Sequence, residues 1–191
     1  MSRAYRIRVQ ESLTRDLRAE DSIETQLEIL EILPPEQMGE LLAQELEQRG
    51  FERQNDGTLL RHEDNGTSVE VEPCTGKVVI RSEAKETVIL EGSKEGFGYE
   101  DFGARRKQVE ENLSKELQED LAQRAERQQG EMQTETTNRL QKELDDLQPE
   151  VAEVIHRVTA EALKRKASQM GEIKEISEDA ESGSLTIKVE V

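Results

Sequence analysis

The chain opens in alternation. In MSRAYRIRVQ, Tyr5, Ile7 and Val9 are separated by Arg6 and Arg8, the period-two pattern of a strand with one wet and one dry face. A polar connection is expected through TRDLRAEDS. SIETQLEILEIL then alternates again, with Ile23, Thr25, Leu27 and Ile29 against Glu24, Gln26 and Glu28, and predicts a second strand. Pro34 and Pro35 stop it and pre-set the first turn of a helix over 35–49. Met38, Leu41, Leu42 and Leu46 form one apolar stripe along that helix. Gly50 caps its end, and Phe51 returns the chain to the core. NDG at 55–57, DNG at 64–66 and CTG at 74–76 then punctuate four short β-branched segments, TLLRHE, TSVEVE, KVVIRSE and ETVILEG, as turns punctuate a meander. The expectation for 1–98 is a small antiparallel sheet with one packed helix.

GSKEGFGYEDFG, 92–103, carries four glycines in twelve residues and reads as a joint opening a second region, 99–191. Beyond it the period lengthens. Val109, Leu113, Leu117, Leu121 and Ala125 recur every four residues, and Leu140, Leu144, Leu147, Val151, Val154 and Val158 recur as a heptad seam, the signature of coiled-coil packing. Pro149 interrupts the seam, either starting a fresh helix or kinking one. Between the stripes lies QEDLAQRAERQQGEMQTETTNR, 118–139, whose only large apolar side chains are Leu121 and Met132. A helix draws most of its stability from a buried face, so this passage needs a reason to exist. An antiparallel helical hairpin over 103–170, turning near Gly130, supplies one, because the polar stretch becomes its solvent-facing tip. The rival is one continuous helix paired in a dimer. A mid-helix glycine costs only about 1 kcal/mol, so Gly130 does not decide between them. At the end, Ile173 and Ile176 precede a DAESGS turn, and Leu185, Ile187, Val189 and Val191 alternate with Thr186, Lys188 and Glu190. This predicts a β-hairpin over 172–191. A lone hairpin is marginal in water, so it is expected to join the first sheet or to pack on the root of the arm. The fold class is α+β.

Charge narrows the partners. The formal net charge is −17, and neither half of the chain is basic. Nucleic acids and anionic lipids are bound through Lys and Arg, so both are disfavoured, and protein partners with basic or polar surfaces are favoured. No apolar run approaches the roughly 20 residues of a membrane span. The first residues lack the apolar core of a signal peptide, and a single cysteine fits a reducing compartment, so a cytoplasmic location is expected. With 3% aromatic residues and no tryptophan, the core must be aliphatic.

Chemistry is sparse. His62, in RHEDNG, neighbours Glu63 and Asp64, but a strand sends adjacent side chains to opposite faces and no ligand spacing is recognisable. His156 falls on the heptad helix. Cys74 follows Pro73 in a turn with no base to activate it. GFGYED, 96–101, imitates a dinucleotide fingerprint without its third glycine or its βα setting. NGT and NLS, 65–67 and 112–114, are glycosylation sequons by pattern only. LKRKA, 163–167, is the one basic cluster and suits a helix C-terminus. No catalytic, cofactor-binding or metal-ligating set is predicted. The residues singled out for partner binding or self-assembly are Leu113, Leu117, Leu121, Leu140, Leu144, Val151 and Val158. Two alternatives stay open: a structural homodimer through the 140–158 seam, and a metal-dependent enzyme using surface carboxylates with His62.

Four stretches together, MSRAYRIRVQES, LEILEILPPEQMGELLAQELEQRGFER, VEVEPCTGKVVIRSE and EDAESGSLTIKVEV, resemble the bacterial FtsH ternary system accessory domain family. The resemblance covers most of the chain and brings no catalytic motif. It implies a non-enzymatic companion, an adaptor or sensor, working beside AAA+ ATPases of the FtsH and MoxR types and von Willebrand A proteins in bacterial conflict systems.

Overall fold

The computed structural model describes residues 4–99, 103–179 and 184–190. In chain order the elements are β1 (Ala4–Gln26), α1 (Pro35–Glu47), β2 (Glu52–Arg53), β3 (Leu59–His62), β4 (Thr67–Glu72), β5 (Lys77–Tyr99), α2 (Gly103–Met170), β6 (Glu172–Asp179) and β7 (Ser184–Glu190). The class is α+β. Strands β1 to β5 form one antiparallel sheet in the order β1-β5-β4-β3-β2, and β6 and β7 form a second of two strands.

By packing, the chain forms two compact units. One comprises 1–20 and 83–137, the other 21–82 and 138–191. Strands β1 and β5 and helix α2 each contribute to both.

The second unit holds the aliphatic core. Gln37 and Met38 N–H groups both donate to Pro34 O, starting α1, which then buries Met38, Leu41, Leu42 and Leu46. Helix α1 ends where Gly50 takes φ 87° and Phe51 N–H returns to Leu46 O. The three expected turns follow, with Gly57, Gly66 and Gly76 all at positive φ. Strand β4 pairs Val69 with Ile80 and Val71 with Val78 of β5. These four side chains join Leu59, Phe51, the stripe of α1, and Leu140, Leu147, Val154, Val158 and Ala162 of α2 in one buried cluster. The heptad positions Leu140, Leu147, Val154 and Val158 of α2 are therefore packed within the chain, in a cluster with α1 and the sheet. Ion pairs fasten the rim. Arg61 makes two bonds to Glu150, at 2.8 and 3.0 Å, and its guanidinium lies 4.5 Å from the centre of the Phe51 ring. Glu150 beside it holds the Arg61 guanidinium in its charged form, raising its pKa.

The first unit is thinner. It consists of a two-stranded ribbon, from β1 and β5, with α2 on one face. The ribbon is antiparallel, as the contacts Arg6–Glu95, Asp16–Thr87 and Arg18–Glu83 show. Odd-numbered residues of β1 face the helix, with Ile7, Leu17 and Ala19 buried. Even-numbered residues of β5 do the same, with Val88 buried. Alternation continues through the charged middle of β1, so the expected break between two strands, at TRDLRAEDS, does not occur. Strand β5 runs alongside at equal length and supplies the ladder for the whole of it.

The glycine joint expected at 92–103 is corrected as well. Residues up to Tyr99 are strand, and 100–102 lie outside the described residues. A Cβ on Gly92 would stand 2.8 Å from Leu117 Cδ1, and one on Gly96 2.8 Å from Leu113 Cδ1. These glycines serve as seats for helix leucines, letting α2 approach the strand closely.

The helical hairpin is also corrected. Helix α2 is one element of 68 residues that runs through both Gly130 and Pro149. Its polar passage is stabilised without folding back on itself. Leu117, Leu121 and Ala125 are buried, as is Thr136, whose hydroxyl donates to Met132 O at 2.8 Å. Further on, glutamines replace apolar contacts. Gln129 Oε1 accepts from Arg18 N–H at 3.3 Å, and its Nε2 donates to Arg18 O at 2.5 Å. Gln133 Nε2 donates to Glu20 O. These two side chains complete the hydrogen bonds of an edge strand, groups that would otherwise need water or another strand.

Candidate interaction surface

The seven apolar residues predicted as contact points are divided between the units. Leu117 and Leu121 lie in the first and Leu140 and Val158 in the second, each at most 3% exposed. Leu113, Leu144 and Val151 are half-buried. Leu113 rests against Gly96, while Leu144 and Val151 pack on the aliphatic cluster. The contacts described for them lie within the chain.

His62 and His156 are both exposed, on β3 and α2 respectively, and Cys74 is an exposed free thiol. Among the described residues no group of three His, Cys, Asp or Glu side chains is placed to hold a metal ion. A shallow cleft of about 400 Å³ opens between α1 and α2, lined by Gln44, Gln48, His156 and Lys164 among others. Ion pairs line it, with Arg157 bonding Glu45 and Glu153, and Arg165 bonding Glu161.

The terminal hairpin of the second unit presents a row of apolar side chains, beside the single exposed Leu30 and Met170. Among the described residues β6 and β7 pair with each other and with no strand of the larger sheet, so of the two expected placements, joining that sheet or packing on the root of the arm, the first is not adopted. Ile173 lies opposite Val189 and Ile176 opposite Ile187, with a register shift between Ile173 and Glu175. That bulge decides the surface. In a regular strand, residues three apart point to opposite faces. One extra residue resets the phase, so Ile173 and Ile176 share a face with Leu185, Ile187 and Val189. None of the five is buried, and Ile176 is 45% exposed. The hairpin's two lysines are already engaged, Lys174 with Glu190 and Lys188 with Glu175. The surface is an aliphatic stripe in an acidic frame. Sequence alternation revealed the β7 half of this stripe; the bulge that aligns the β6 half carried no signal.

Two further apolar side chains stand out on the outer face of the ribbon, Ile89 at 67% and Phe97 at 64% exposed. Among the described residues no helix is long and apolar enough to cross a membrane. No curated protein and no solved structure matches the chain. A family model described as FtsH ternary system domain X5 matches residues 1–191, the whole length on which the four resembling stretches lie. The chain belongs to the FtsH ternary system domain X5 family, whose name ties it to a system of several proteins.

Proposed function

We propose that this protein is a non-catalytic adaptor of a bacterial conflict system, acting in the cytoplasm, and that its terminal hairpin docks on an FtsH-type AAA+ ATPase. The observation that carries the reading is the aliphatic face of β6 and β7, Ile173, Ile176, Leu185, Ile187 and Val189, none of which is buried. A two-stranded hairpin is at best marginal in water, and an apolar stripe rimmed by polar groups is the usual form of a protein contact. Its acidic frame and the −17 charge of the chain favour an apolar partner surface rimmed by Lys and Arg, and would steer the encounter.

The test is direct binding of the full chain to a purified FtsH-type AAA+ ATPase. Ile176→Asp combined with Ile187→Asp places charge on exposed or half-buried positions, so circular dichroism should show the rest of the fold intact. Binding should fall by tenfold or more, the scale of losing an interface anchor. Equal binding by the variant would remove the hairpin from the reading, and absence of binding by the unaltered protein would remove the ATPase.

A further inference from the structure

The ribbon of the first unit has an edge that no strand covers. Backbone groups along a strand point alternately to its two sides. Leu27 N–H donates to Gly76 O where the β1–β5 ladder begins, so even-numbered positions of β5 bond to β1. Odd-numbered positions offer their N–H and C=O groups to the opposite edge. Strand β4 occupies that edge only as far as Ser82. From Lys85 to Phe97 the edge is open among the described residues, whereas the edge of β1 at Arg18 and Glu20 is closed by Gln129 and Gln133. A long uncovered edge is a template for another strand.

The sequence along that edge is self-complementary. KETVILEGSKE, 85–95, carries Lys-Glu at both ends. Laid antiparallel on itself about Leu90, it sets Lys85 opposite the partner's Glu95 and Glu86 opposite the partner's Lys94. Thr87 meets the partner's Ser93. Val88, which is buried beneath α2, lies opposite the partner's Gly92, so no bulk is added on the helix side. Leu90 meets its own copy, and the two Ile89 side chains lie diagonally across the twofold, within the reach of long side chains. Sliding the register by two residues in one direction opposes Glu91 to itself, and in the other direction opposes Glu95 to Glu83. The central register sets Ile89 opposite the partner's Glu91, and of these three registers it alone opposes no like charges.

We infer that a second copy of this chain adds to the open edge of β5, antiparallel and centred on Leu90, making a continuous four-stranded sheet β1-β5-β5-β1. The pairing covers Ile89 and gives a two-stranded ribbon the strand number that independent sheets need. Within one chain Lys85 contacts Glu83, Lys94 contacts Glu116 and Glu95 contacts Arg6. All six side chains are at least 42% exposed, so these surface ion pairs can rearrange across the twofold. The segment itself is nearly neutral, and salt screens the charge carried by the rest of each copy.

Light scattering coupled to size exclusion, over a concentration series at moderate salt, tests this with the full chain. The unaltered protein should form a dimer. Lys85→Glu and Glu95→Lys should each raise the dimer dissociation constant about tenfold, since like charges directly opposite one another are unfavourable. The two together should restore it, because the pairing is reversed and not lost. The restoration separates the proposal from a simple folding defect. In a Cys74→Ser background, Leu90→Cys should cross-link to its own copy on mild oxidation, because Cα atoms of such non-hydrogen-bonded pairs lie about 4.5 Å apart, within disulfide reach. A monomer at every concentration, a dimer indifferent to the charge reversals, or Leu90→Cys failing to cross-link would each overturn the assignment.

Discussion

Residues 106–137 and 138–170 belong to one helix, yet they are held in unlike ways. The later stretch inserts Leu140, Leu147, Val154, Val158 and Ala162 into an aliphatic cluster shared with α1 and the sheet. The earlier stretch buries Leu117, Leu121 and Ala125 against a ribbon of two strands, then continues on glutamines bonded to strand backbone. A helix with few apolar side chains can still be fixed if the opposing strand gives way to it, through glycine, and if its polar side chains complete an edge. One stretch relies on area removed from water. The other relies on closeness and on hydrogen bonds that would be costly to leave unmade.

The largest test of that contrast lies in the aliphatic cluster. Leu59 is fully buried there, and Leu59→Ala should cost about 3 kcal/mol through lost transfer and the cavity left behind, read as a lower urea midpoint. In the ribbon, substitution should hurt by addition. Gly92→Val would drive methyl groups into Leu117, whose Cδ1 lies 2.8 Å from the position of a Cβ. The overpacking should cost about 2 kcal/mol, and faster amide hydrogen exchange should be confined to 83–99 and 106–137. If exchange also rises throughout 59–80, the two units are not independent in stability. Gln129→Ala should be milder, about 1 kcal/mol, with the exchange of the Arg18 amide as the local readout.

The smallest effect should come from acid. Glu153 is held below the usual carboxylate range by Arg49 and then Arg157, and Glu40 by Arg53 and then Gln44. Their folded values lie below the unfolded ones, so the contribution is present above the ordinary carboxylate range and disappears as pH falls through the folded values. Thermal midpoints should therefore decline below about pH 4. The decline should shrink in salt, because both groups are at the surface. A midpoint that rises on acidification would reverse the sign of this argument.

Legibility in the sequence followed the range of the forces. Helix α1 and the turns at Gly57, Gly66 and Gly76 depend on neighbours a few residues away, and the alternation and the proline and glycine signals placed them. The continuity of β1 did not show, because Thr14, Arg15 and Asp16 lie where only the ladder from β5, some seventy residues later, keeps the chain extended. Gly92 and Gly96 misled for a related reason. A glycine that makes a joint and a glycine that makes room for a leucine are the same letter, and what distinguishes them is a helix twenty-odd residues further on. The polar passage at 118–139 was recognised as needing a reason to exist, but the reason, backbone groups of β1, is invisible to a pattern of apolar positions. The exposed apolar side chains were obscured by the same habit. Apolar periodicity selects side chains that end up inside, whereas Ile176 and Ile89 are ordinary strand residues until their faces are found uncovered. The mirrored Lys-Glu pairs at 85–86 and 94–95 were readable all along, once the edge they occupy was known to be open.

The interleaving of the two units has a consequence for synthesis. Residues 21–82 lie between the two pieces of the first unit, and 138–191 follow both, so no single cut separates one unit from the other. As the chain leaves the ribosome, the meander and α1 can close on their local contacts early. Strand β1 must wait for β5, and both then wait for α2. The aliphatic face that holds Leu59, Val69 and Ile80 is completed only when Leu140 through Ala162 arrive. For most of its synthesis the nascent protein therefore carries an unfinished core, and a chain ended anywhere before residue 138 would present that face to its surroundings, the condition under which partly made proteins aggregate.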